Sequence, residues 1–99
     1  MTEYEVIDWP TIIAMLVTWR DDRDEIEVDD PDDKPTGASI EAAIMFAAKC
    51  FVTRKGLPSH VGVQLGSVVL IWQQTDTSGL TKVEILPDGA ISCMEYKQQ

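Results

Sequence analysis

The chain has 99 residues, of which 44% are hydrophobic and 25% charged, a composition typical of one folded domain and unlike that of a disordered segment. Its formal net charge of −9 is concentrated in residues 21–33, which hold nine of the 17 acidic residues and only one base, Arg23. Because no cluster of Lys and Arg is present, nucleic acid is excluded as an expected partner.

The N-terminal region, residues 1–20, predicts a helix. Asp8 precedes Trp9 and Pro10, and an Asp followed by a proline in the first turn is a common helix start. An apolar face at helical spacing follows and ends at Arg20. That face consists of Trp9, Ile12, Ile13, Leu16, Val17 and Trp19.

Residues 21–35 form an acidic connector whose only apolar residues are Ile26 and Val28. Its Asp-x-Asp pairs lack the glycine and the glutamate of a helix-loop-helix calcium site, so no metal site is predicted. Two interpretations stay open. The segment is a solvated linker with either a short strand or a loop pinned by Ile26 and Val28, or it binds a basic partner through its carboxylates.

The second and main helix is predicted over residues 36–56. Thr36 or Ser39 can cap its start, and Gly56 followed by Leu57 and Pro58 ends it. Apolar residues at 40, 43, 44, 47, 50 and 51 form one face, and those at 45, 46, 48 and 52 widen it. Such a pattern predicts a helix buried on more than one side.

From residue 60 to 97 the hydrophobic period changes to two, which predicts an antiparallel β-meander of three or four strands. We therefore expect an α+β fold with two helices followed by this sheet. The predicted strands are 61–65, 68–74, 80–86 and 90–96. The predicted turns are Gly66-Ser67, residues 75–79 and residues 87–89.

Turn lengths predict which side chains share a face of the sheet. A three-residue turn pairs Ile85 with Ile91 and Val83 with Cys93 on the core face. Continuing through a five-residue loop, 75–79, places Val69 and Ile71 on that core face as well, with Trp72 on the opposite face beside Lys82. An exposed apolar patch is then expected as the partner-binding surface, unless the first helix covers it. Its residues are Val68, Leu70, Trp72, Lys82, Met94 and Tyr96.

Nothing in the sequence predicts a catalytic residue, a cofactor site or a metal site. His60 is the only histidine, and a catalytic role would require a nucleophile such as Cys50 or Cys93 beside it. Both cysteines lie in segments predicted to be buried, as is usual for cysteines without a motif. The N-terminus lacks a signal peptide and no apolar run is long enough to span a membrane, so we expect a cytoplasmic protein without membrane contact.

Residues 38–97 resemble a group of small uncharacterised bacterial proteins, frequent in planctomycete-type genomes. The resemblance depends on Gly56-Leu57-Pro58, on Gly66 to Ile71, on Val83 to Gly89 and on Met94-Glu95-Tyr96. It implies a helix that ends in a Gly-Leu-Pro step and a meander that closes on an Asp-Gly turn. No activity of that group transfers to this chain, and Val63 and Leu65 stand where polar turn residues are typical.

The leading hypothesis is therefore a non-enzymatic protein–protein interaction module that binds a protein partner or itself, as a homodimer through the outer face of the sheet. The alternative is an acidic inhibitor or antitoxin-like protein that binds a basic partner through residues 21–33. A third hypothesis is an enzyme that uses His60.

Overall fold

The chain forms two α-helices and a five-stranded antiparallel sheet in a computed structural model that describes residues 1–73 and 79–96. The predicted α+β fold is confirmed, with one strand that was not predicted, β1, which precedes both helices. Strand order follows the chain from β1 to β5. The elements are β1 (Thr2–Tyr4), α1 (Trp9–Asp21), α2 (Gly37–Val52), β2 (His60–Gln64), β3 (Ser67–Gln73), β4 (Leu80–Ile85) and β5 (Ile91–Tyr96).

Helix α1 begins as the sequence predicts. The Asp8 carboxylate accepts a 2.7 Å hydrogen bond from the Thr11 backbone N–H, which satisfies one of the free donors of the first turn. The Thr11 side chain first, and then this backbone N–H, lower the pKa of Asp8 through hydrogen bonding. The helix presents Ile12, Leu16 and Trp19 to the core.

Helix α2 starts at the predicted cap but ends four residues before Gly56. Thr36 accepts a hydrogen bond from the Ser39 backbone N–H. At the other end Arg54 adopts a left-handed conformation, with φ at 59°. The Arg54 N–H then bonds to the carbonyl of Phe51, and the Lys55 N–H to that of Cys50, which is the Schellman pattern that usually carries glycine.

The core lies between the two helices and one face of the sheet. Both helices contribute to it, and the strands contribute alternate residues from β2, β3 and β4. Its fully or nearly fully buried members include Leu16, Ile40, Val61, Val63, Val68, Leu70 and Ile85.

The turn between β2 and β3 differs by one residue from the prediction. Gln64 pairs with Ser67, so the two-residue loop is Leu65-Gly66 and not Gly66-Ser67. Both loop residues have positive φ, 50° and 87°, as a type I′ hairpin turn requires. Gly66 meets this requirement without strain, whereas Leu65 does not.

The register between β3 and β4 also differs from the prediction. Gln73 pairs with Leu80, so that Trp72 pairs with Thr81, and six residues rather than five separate the two strands. Most of the predicted loop 75–79 lies outside the described residues. A one-residue shift moves every side chain of a strand to the other face, and the predicted faces of β3 are therefore wrong.

Candidate functional site

The predicted partner-binding patch is divided between the two faces of the sheet. The β4–β5 pairing is as predicted, with Ile85 opposite Ile91 and Val83 opposite Cys93. The β3 members of the patch instead lie on the face that the helices cover, and α1 contributes Trp9, whose ring centre is 6.3 Å from that of Trp72. The members on the helix side are Val68, Leu70 and Trp72, and those on the outer side are Lys82, Met94 and Tyr96.

The outer face of the sheet also carries Ile71, which was predicted to face the core. Ile71, Lys82 and Met94 lie in one cross-strand row. The Lys82 ammonium lies 3.7 Å from the Glu84 carboxylate, which also accepts a hydrogen bond from the Ser67 hydroxyl. This row is therefore mixed in character, with a charge pair at its centre.

A groove lies on the opposite face, where α2 leaves β5 uncovered. Its volume is about 930 Å³, within the range of small-molecule sites. One wall is α2, and the floor is formed by the helix-facing residues of β3, β4 and β5. We call it the α2–β5 groove, and its principal residues are Met45, Phe46, Lys49, Trp72, Ile91 and Cys93.

The apolar side of α2 that faces this groove and the surrounding surface is exposed. Met45 is 73% exposed, Val52 is 79% exposed and Ile91 across the groove is 54% exposed. The prediction that α2 is buried on more than one side is wrong, because the sheet and α1 cover only one side of it. The sequence did predict that α2 is apolar nearly all round. It did not show which side of the helix is left exposed.

Two tryptophans fix the chain that follows α2 at one end of the groove. The Trp9 indole N–H donates to the carbonyl of Lys55 at 2.7 Å, and the Trp72 indole N–H donates to that of Gly56 at 2.8 Å. Both bonds satisfy indoles that are otherwise packed in apolar surroundings. They hold the Lys55 ammonium 5.1 Å from the centre of the Trp72 ring, a cation–π contact.

The charges around the groove are nearly balanced. Lys49 and Lys55 line it from the α2 side and Glu95 lines it from β5. The acidic segment, residues 21–33, lines no part of this groove. It contacts α1, β1 and β2. Four strand spacings, about 19 Å, separate β1 from β5.

Both cysteines line the groove and differ in exposure. Cys50 is buried, as predicted, and burial raises the pKa of its thiol. Cys93 is exposed, which contradicts the prediction, because no helix covers β5. His60 lies on the outer face of the sheet, opposite Ile71, and its Nδ1 is 3.9 Å from the Glu3 carboxylate. The structure therefore does not bring His60 together with either thiol.

The acidic segment is folded against the domain. It contains two short 3₁₀ turns, Arg23–Glu25 and Pro31–Asp33. Ile26 and Asp33 are buried, and the Thr2 hydroxyl donates to the Asp33 carboxylate at 3.1 Å. Of the two structures left open for the linker, the strand and the pinned loop, the pinned loop is the one observed.

Carboxylates of this segment surround Tyr4. The Tyr4 hydroxyl donates to the backbone carbonyl of Glu27. Partial burial first, and then the nearby charges of Asp29, Asp33 and Glu27, raise the pKa of Tyr4 to about 12. The segment thus presents an ordered negative surface beside β1.

Among residues 1–73 and 79–96, no three His, Cys, Asp or Glu side chains are grouped so that they could hold a metal ion. No helix in the same residues has the length and apolar character needed to cross a membrane. Comparisons with known protein families, curated proteins and solved structures found no match to this chain. The resemblance to planctomycete-type proteins stays a prediction.

Proposed function

We propose that this chain is a protein–protein interaction module without enzymatic activity, and that it binds its partner through the α2–β5 groove and the adjoining strand β5. The observation that carries this proposal is the exposed apolar surface formed by Met45 and Ile91 on the two sides of one groove. A contiguous apolar patch of this kind marks interaction sites on folded domains.

The composition of the groove supports a macromolecular partner. Methionine, tryptophan and phenylalanine are enriched in the cores of interfaces, where large apolar side chains fill pockets. Here Met45, Phe46 and Trp72 supply those types, and Lys49 and Glu95 supply a polar rim.

The test is capture of proteins from an extract of the source cells on immobilised chain. Ile91→Glu and Met45→Glu place a charge in the groove and are expected to abolish retention of the partner. Ile7→Glu is the matched control, because Ile7 is 58% exposed, against 54% for Ile91, and lies in the loop between β1 and α1. Retention by all three variants alike contradicts the proposal.

A second candidate is the acidic inhibitor that binds a basic partner through residues 21–33. The observation in its favour is that Ile26 and Asp33 anchor this segment, so that the backbone carrying its other carboxylates is ordered. A preordered charged surface binds with a smaller entropy loss than a flexible one. The attraction between this surface and a basic partner is expected to weaken as the salt concentration rises.

Replacement of Glu25, Asp29 and Asp32 by Gln, Asn and Asn removes three exposed charges and leaves the anchors in place. This variant is expected to lose a basic partner that the wild type retains at low salt. The control replaces Glu41, Asp8 and Asp88 by Gln, Asn and Asn, a matched change at other positions. Equal retention by both variants leaves the acidic segment without a binding role.

A further inference from the structure

The two edges of the sheet differ in how they are protected. At one edge, β1 has three residues, and the acidic segment packs beside it, with the Asp29 N–H donating to the Thr2 hydroxyl. At the other edge, β5 has six residues that pair with β4 along their whole length. Natural edge strands are often protected by proline, bulges, short length or charged side chains, and β5 (ISCMEY) has only one of these, the charge of Glu95.

The backbone groups that β5 leaves free can be identified from the ladder. The Leu86 N–H donates to the carbonyl of Ala90 at 2.7 Å. Because bonding alternates along an antiparallel pair, residues 92, 94 and 96 also face β4. The N–H and C=O groups of Ile91, Cys93 and Glu95 therefore point away from the sheet, and the described chain offers them no strand.

We propose that β5 pairs with β5 of a second copy of this chain, about a two-fold axis at Cys93. This inference rests on the proposed function, for which it names the partner. In this register Cys93 lies opposite Cys93 of the second copy, and Ile91 lies opposite Glu95, so that all three outward-facing residues are paired. The two five-stranded sheets join into one continuous sheet, and the α2–β5 grooves of the two copies face each other across the axis.

The side chains of β5 also favour a second copy. The six residues of this strand span about 20 Å. They carry exposed apolar side chains on both faces, Ile91 on the groove side and Met94 and Tyr96 on the outer side. Pairing with a second copy would cover part of all three side chains.

The distribution of charge permits a second copy at the β5 edge and disfavours one at the β1 edge. The acidic segment carries most of the net charge and contacts α1, β1 and β2. In the proposed dimer each acidic segment is on the far side of its own sheet. The two segments are then separated by more than about four Debye lengths at physiological salt, so that their repulsion is screened.

The experiment is sedimentation equilibrium of the purified chain from micromolar to near-millimolar concentration. The wild type and Ile7→Glu are expected to approach twice the mass of one chain, 11.0 kDa. Ile91→Glu, which opposes Glu95 of the second copy, is expected to stay at the mass of one chain. Cys93→Pro removes an outward N–H that no strand within residues 1–73 and 79–96 uses, and is expected to be monomeric with an unchanged circular dichroism spectrum.

Disulfide cross-linking tests the register. Opposed residues in a hydrogen-bonded antiparallel pair have Cα atoms about 5.5 Å apart, within the range that a disulfide spans. Mild oxidation is expected to link two copies in the wild type and in Cys50→Ser, and to give no linked species in Cys93→Ser.

If the wild type remains at the mass of one chain over the whole concentration range, the proposed β5–β5 dimer is wrong. The same holds if a dimer persists in both Ile91→Glu and folded Cys93→Pro. In either case the capture experiment decides the proposed function separately, because a foreign protein that is lost only with Ile91→Glu and Met45→Glu supports the groove as a site for a different partner.

Discussion

The hydroxyl of Ser39, in the first turn of α2, donates a 2.6 Å hydrogen bond to the backbone carbonyl of Ile85 at the end of β4. The same oxygen accepts a hydrogen bond from the Val68 N–H at the start of β3. Ser39 has no exposed surface. One buried hydroxyl thus joins α2 to two neighbouring strands and fixes the helix above them.

Ser39→Ala is expected to lower the free energy of unfolding by about 2–3 kcal/mol, because two buried backbone groups lose their partner. Urea denaturation measures the effect. Ser92→Ala, on the outer face of β5, is the control and is expected to change stability by no more than about 0.5 kcal/mol. If the two variants are equally stable, the hydroxyl bridge does not hold α2 to the sheet.

Asp33 is expected to contribute more to the stability of the fold than its neighbour Asp32. Asp33 is buried and accepts the Thr2 hydroxyl, so Asp33→Ala leaves that hydroxyl without its acceptor and is expected to cost about 2 kcal/mol. Asp32 is exposed, and Asp32→Ala is expected to cost less than about 0.5 kcal/mol. Thermal melts of the two variants check this, and similar melting temperatures contradict the anchoring role of Asp33.

Leu65→Asn is expected to stabilise the chain by roughly 0.5–1 kcal/mol, because Asn accepts the left-handed conformation more easily than Leu. Leu65 is 68% exposed, so little packing is lost. Gly66→Ala is expected to have the opposite sign, since φ is +87° and the added carbon would lie 3.2 Å from the Pro87 ring. Both are measured by urea denaturation, and a destabilised Leu65→Asn would contradict the turn assignment.

Tyr4 gives the fold a dependence on alkaline pH. Its pKa is raised from 10.0 to about 12 in the folded chain, so the folded state keeps the phenol proton after the unfolded state has lost it. The contribution of Tyr4 to the free energy of unfolding is fully present below pH 10 and is lost as the pH rises from 10 to about 12. The Tyr4→Phe variant is expected to lose this part of the pH dependence, as measured by denaturation at several pH values, whereas identical curves for both chains contradict it.

The two thiols are expected to react in sequence with an aromatic disulfide reagent in dilute solution. Exposed Cys93 reacts first, and Cys50 reacts slowly because burial limits access and its raised pKa reduces the thiolate fraction. Cys93→Ser is expected to leave only the slow phase, and Cys50→Ser only the fast phase. Fast labelling of Cys93→Ser would show that Cys50 is accessible.

The sequence by itself determined the local elements. Asp8 and Thr36 are the predicted helix caps because each capping interaction involves residues only three apart. The Ile85–Ile91 and Val83–Cys93 pairs were correct because a short turn fixes the register of its own hairpin. The end of α2 was not predicted, since a non-glycine residue, Arg54, takes the left-handed position.

Only the tertiary structure decided the face of each β3 residue and the extent of the helical layer. The loop between Gln73 and Leu80 is long, and long loops accept either register at little cost. Burial of Leu70 and Trp72 under the helices therefore selects the observed register between β3 and β4. Likewise β1 is too short to be recognised without its partner β2. The α2–β5 groove exists because two helices cannot cover five strands, and that limit is a property of the assembled layers rather than of any segment.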